Sequence, residues 1–155
     1  MALDEKPRAS TAPYVGPREG HHVLMRGGDV LIKTGLVGAF GSFAMGTQQV
    51  LAGVGIPMHR HFEMNETFYV VEGSGIFVLD DVRYPIEKGG SIFIPKFAWH
   101  GFENPDCELV LLWIMSPPGV DGFFRECGTA PGSPALDRTK EQVNQIAGTY
   151  GTEFR

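Results

Sequence analysis

Apolar positions in this chain alternate with polar ones over short runs, and glycine or proline interrupts those runs repeatedly. A period of two turns one face of an extended segment toward a core and the other toward water, which is the pattern of a half-buried β-strand. It predicts strands over residues 29–34, 40–45, 48–52, 67–72, 75–79, 82–86, 91–94 and 109–115. Asp80 and Asp81 supply a tight turn between the fifth and sixth of these. Strands spaced this closely, with no βαβ alternation, predict an all-β sandwich or barrel. From Asp137 the period changes. Leu136, Val143, Ile146 and Ala147 fall near helical spacing, Asp137 or Thr139 can cap the start, and Gly148 can end it. One short C-terminal helix is therefore expected.

The length of 155 residues suits one domain, and no internal repeat suggests a second. Residues 1–20 are polar and carry Pro7, Pro13 and Pro17, which reads as an extended arm. Residues 21–128 are expected to form the barrel, and residues 129–155 a helix and tail. The 21 glycines and 11 prolines match a fold made mostly of turns and short strands. A net charge of -5, with scattered basic residues, argues against nucleic acid as a partner. The longest apolar run, residues 109–115, is a strand length and far short of a membrane span. The first residues have no apolar stretch of the kind a signal peptide needs. Cys107 and Cys127 have no paired spacing and read as free thiols. Together these features predict a cytoplasmic protein with no membrane partner.

The most informative segment runs from Gly53 to Glu66. On a strand, His59 and His61 point the same way, with Cα atoms roughly 6.5–7 Å apart. Two imidazoles at that spacing can converge on one ion at about 2.0–2.2 Å. Glu66 follows after a four-residue turn and can add a carboxylate. A second segment, from Gly89 to Asn104, brings a third imidazole, His100. The remaining polar features read as surface: the His21–His22 pair, Glu63, Glu103, and Arg60, which must point away from its histidine neighbours. Arg60 could also serve a dimer contact.

These two segments resemble the paired motifs of the cupin family. The first motif has Gly, five residues, His-x-His, three or four residues, Glu, six residues and Gly, matched here by Gly53, His59, His61, Glu66 and Gly73. The second has Gly, five residues, Pro-x-Gly, two residues, His, three residues and Asn, matched by Gly89, Pro95, His100 and Asn104. Phe97 stands where the family usually has glycine, which bears on the local turn and sets an aromatic ring near it. The resemblance implies a single-domain double-stranded β-helix, a jelly-roll barrel usually paired into homodimers. It also implies His59, His61, Glu66 and His100 as ligands of one divalent transition metal, whether Fe, Mn, Ni, Co, Cu or Zn.

The segments 116–126 and 146–154 resemble, less closely, the corresponding parts of quercetin-dioxygenase-like small cupins. That likeness implies an oxidoreductase, a dioxygenase acting on a small enol, diketone or phenolic substrate, with Glu66 as ligand and catalytic base. Two other readings stay open. One is a metal-dependent isomerase, lyase or cyclase in which the ion is a Lewis acid. The other is a non-catalytic small-molecule binder. Counting by twos from the ligands turns Phe68, Val70 and Phe102 inward. Phe40, Met45, Trp99 and Trp113 are further apolar candidates for the substrate pocket, and Gln49 is the polar one.

Overall fold

The computed structural model describes residues 14–35, 42–104 and 106–155. Eleven strands and two helices form among them, in the chain order β1 His21–Met25, β2 Gly28–Thr34, β3 Ala44–Val50, β4 Val54–His61, β5 Asn65–Glu72, β6 Ser74–Leu79, β7 Val82–Glu87, β8 Ser91–Ile94, β9 His100–Asn104, β10 Leu109–Ser116, α1 Val120–Cys127, α2 Lys140–Thr149 and β11 Thr152–Phe154. The strands make two antiparallel sheets, ordered β1-β2-β3-β10-β5-β8 and β11-β4-β9-β6-β7. This is the expected all-β jelly roll. No helix among the described residues is long and apolar enough to cross a membrane.

The period of two is plainest in β3, β5 and β10. Ala44, Gln48, Val50, Glu66, Phe68, Val70, Leu109, Leu111, Trp113 and Met115 are buried, and their neighbours in sequence face outward. The inner faces meet across the barrel, where the rings of Phe68 (β5) and Phe102 (β9) pack edge to face at 4.9 Å. Phe77 of β6 packs on Phe102 at 5.3 Å. The β6–β7 hairpin turns on Asp80 and Asp81, both with positive φ (44° and 69°), as a two-residue turn with matched twist requires.

Three expectations need correction. The strands predicted at 40–45 and 48–52 are, where described, one strand. Gly46 is not a turn there: a Cβ on it would lie 2.4 Å from Trp113 Cζ2 and 2.5 Å from the Leu31 carbonyl oxygen. Its missing side chain lets the Trp113 indole lie across β3. Phe40 and the N-terminal arm up to residue 13 lie outside the described residues.

The second correction is a second helix, α1. Val120, Phe123, Phe124 and Cys127 recur at helical spacing and pack on the core, with Phe124 set 5.6 Å from Trp113. That pattern was readable in the sequence. The third concerns the tail. Thr139, not Asp137, caps α2, in a reciprocal box with Gln142 (2.9 and 3.3 Å), and the helix runs one residue beyond Gly148. The chain then returns as β11, a strand of the second sheet and not a tail beyond the barrel.

Candidate metal centre

The geometry of the histidine cluster begins with a break in the β4 alternation. Ile56 pairs with Phe102 and His59 with His100, so β4 spends three residues where β9 spends two. The extra residue is a bulge at Pro57 and Met58. It re-aims the strand so that Ile56, His59 and His61 serve the interior together. Pro57 also supplies a carbonyl 2.8 Å from His59 Nδ1. His100 starts β9 directly opposite His59, and its Nδ1 lies 3.0 Å from the Ala98 carbonyl. His61 Nδ1 lies 2.9 Å from the Thr152 hydroxyl. With every Nδ1 engaged, each imidazole is left to present Nε2 to the interior.

Glu66 completes the cluster from β5. Its Oε2 lies 3.0 Å from His100 Nε2 and 3.3 Å from His61 Nε2. All four side chains are buried, and their ligating atoms lie within 4.8 Å of one another. Burial alone would raise the Glu66 pKa. Hydrogen bonds from His100 and His61 outweigh it and hold the carboxyl well below its usual range. Burial, with His100 and His61 close by, pushes His59 well below the ordinary imidazole value. Three nitrogen donors, one of them kept neutral, around an ionised carboxylate suit a borderline divalent cation. So the four residues that the sequence singled out do come together, from three strands, into a cluster that can hold a metal ion.

The turn before His100 holds the motif departure. Phe97 takes the left-handed conformation, φ 73°, that glycine normally occupies. Such a residue costs roughly 1–2 kcal/mol. Its N–H donates to the His61 carbonyl at 2.7 Å, and the Lys96 N–H donates to Asn65 Oδ1 at 3.1 Å. The turns beside the cluster are thereby tied together. The Phe97 ring is exposed, 6.2 Å from Phe62.

Among the pocket candidates, Phe68, Phe102 and Trp113 are buried on inward positions, with Phe68 and Trp113 opposite each other across β5 and β10. Trp113 Nε1 has no hydrogen-bond partner among the described residues. Gln49 does not belong with them. It pairs with Val110 on the outward parity of β3, and Gln48 takes the inward position one residue earlier. The continuous strand through Gly46 sets that parity. Met45 lies on the outward parity for the same reason. Trp99 is also outside, with the Arg60 guanidinium 4.6 Å above its ring. Reasoning from the sequence missed Gln48, the Pro57 bulge and Thr152. The first could have been found by parity once Gly46 was placed within a strand. Thr152 had no signal, because 91 residues separate it from His61.

Comparison with known proteins agrees with the fold. The model of the cupin domain family Cupin_2 matches residues 46–115. Protein SchB of Streptomyces halstedii is 38% identical over 95 residues, covering 59% of this chain and 68% of SchB. Gentisate 1,2 dioxygenase 1 of Aquipseudomonas alcaligenes is 26% identical over 115 residues, covering 73% of this chain but 33% of the enzyme. The chain thus spans between about a third and two thirds of the curated relatives it matches. Among solved structures, an RmlC-like cupin from Shewanella frigidimarina superposes with a TM-score of 0.62 at 21% identity, over 72% of this chain and 96% of that one.

Proposed function

This chain belongs to the cupin superfamily, and from that premise we propose that it is a metal-dependent dioxygenase acting on a small enol, diketone or phenolic substrate. The observation that carries the reading is the buried cluster of His59, His61, Glu66 and His100, with its three imidazoles and one ionised carboxylate. The similarity to an enzyme named as a dioxygenase, over most of this chain's length, points the same way. The residues would hold one divalent ion, which when bound would supply the chemistry that brings dioxygen and an oxygen-bearing substrate together.

The protein's own part is distinct from the ion's. Glu66, the one carboxylate of the buried cluster, can take the proton from an enol or phenol hydroxyl. Phe68 and Phe102, each two residues along its strand from Glu66 or His100, form an apolar wall beside the cluster that would limit water at the reacting face. Trp113 Nε1 offers a buried donor in the same interior.

The test is oxygen uptake by metal-replete protein across a panel of flavonols, diketones and catechols. Uptake with at least one substrate, lost in Glu66→Gln, is expected. No uptake with any of them overturns the reading. Turnover under strict anaerobiosis would replace it with Lewis-acid isomerase, lyase or cyclase chemistry. Saturable binding without product would make the protein a binder.

A homodimer is part of the same proposal, with a second copy as the occupant of the outer face of the larger sheet. Phe93, Thr67, Ile114 and Met45 line up there across four strands, and Tyr69 and Val71 are exposed on the same face. Light scattering that returns the mass of one chain would refute it.

A further inference from the structure

The three imidazoles are not held in the same way. A ligating imidazole must keep its proton on the nitrogen away from the ion, and the group that accepts this proton fixes both tautomer and ring orientation. For His59 and His100 the acceptor is a carbonyl two residues earlier in the same segment, Pro57 and Ala98. Any chain that folds these segments correctly has those carbonyls in place. His61 has a different partner, the Thr152 hydroxyl, brought from the far end of the sequence by β11.

We propose that Thr152 is a positioning residue for the metal ligand His61, and that the C-terminal strand β11 is thereby a working part of the centre. Thr152 is 1% exposed and stands opposite His61 in the β11–β4 register. Phe154 stands opposite His59, with the two rings 5.4 Å apart. A strand of three residues thus touches two of the three imidazoles.

The strand is fastened on both sides of these contacts. The Phe62 N–H donates to the Gly151 carbonyl at 2.9 Å, and the Arg155 N–H donates to the Met58 carbonyl at 2.9 Å. Outside the barrel, Glu153 pairs with Arg60 at 2.7 Å and Arg155 with Asp81 at 3.1 Å. Trp99 lies against both guanidiniums, 4.6 Å from Arg60 and 5.8 Å from Arg155. Each exposed ion pair is worth little alone. Together with the backbone bonds they set the strand in one register, and register is what delivers the hydroxyl to Nδ1.

This inference rests on the cluster being a metal site, not on the reaction performed there. Its test uses Co²⁺ as probe, with the full-length metal-free protein reloaded and the affinity read by competition with a chelator. Thr152→Val preserves shape and removes the hydroxyl; Thr152→Ser restores the hydroxyl on a smaller side chain. The expected result is a Co²⁺ dissociation constant raised about 10–100-fold in T152V and within about threefold of the parent in T152S. The visible spectrum of bound Co²⁺ should shift in T152V only. Equal affinity in T152V and the parent overturns the proposal, as does an equal loss in both variants, which would mark a packing role. If T152V does not accumulate as folded protein, Thr152→Ala takes its place under the same criterion. Failure of the unmodified protein to bind Co²⁺ is a separate outcome, which overturns the metal site itself.

Discussion

The turn between β4 and β5 and the turn between β8 and β9 each deliver a ligand, yet they gain their shapes by different means. The first carries its own anchor: Met64, midway between His61 and Glu66, is 2% exposed and belongs to the core. The second has only the partly buried Ala98 against the core. Phe97 points outward in a left-handed conformation that disfavours it, and the turn is held by N–H groups donated to His61 and Asn65 of the first and by bonds between Trp99 and Asp80. A segment anchored by burial sets its own geometry. A segment anchored by hydrogen bonds to a neighbour takes the neighbour's geometry, even against local preference.

The sharpest way to break this comparison is to remove a histidine of the cluster beside either turn. His59→Ala and His100→Ala should lose stoichiometric metal alike, by more than the ~10–100-fold that outer contacts govern, when protein purified without added metal is analysed. Retention of one metal per chain in either variant would show that the two segments do not share an ion. Next comes the anchor of the first turn. Met64→Ala should cost about 2–5 kcal/mol of unfolding free energy in urea, since it empties a buried site.

Asn65→Ala should cost less, about 0.5–1.5 kcal/mol, because it removes one hydrogen bond between the turns at an exposed position. A loss as large as that of Met64→Ala would mean that the tie, not the buried anchor, holds the first turn. The smallest effect has the opposite sign. Phe97→Gly should stabilise the protein by about 0.5–1 kcal/mol, relieving the left-handed residue at the cost of a more flexible unfolded chain. Destabilisation on that substitution would mean that the exposed ring contributes more than the backbone strain removes.

Much of the fold was legible because its signals are local. The alternation of β5, β8 and β10 and the turn at Asp80 and Asp81 follow from side-chain period and turn chemistry within a few residues. So did the four ligands, since His59, His61 and Glu66 lie within one short segment and His100 sits in a second motif of fixed spacing. Misreadings arose where a residue's role depended on something distant. Gly46 reads as a break between strands because the Trp113 ring that occupies its side-chain space lies far away in sequence. In the continuous strand Gln48, not Gln49, takes the inward position. The helix α1 is local as well, since Val120, Phe123, Phe124 and Cys127 carry its period.

The sequence by itself determined which atoms are available to a metal and that they would be carried on strands of a jelly roll. Residue type and spacing set both, and both act over a few residues of chain. Only the tertiary structure decided how those atoms are held. The bulge at Pro57 depends on β4 matching β9, the left-handed Phe97 on the carbonyl of His61, and the orientation of His61 on a hydroxyl that β11 brings back from the end of the chain. Each is a contact between segments far apart in sequence, formed when burial and strand pairing bring them together, and no local period records such a contact.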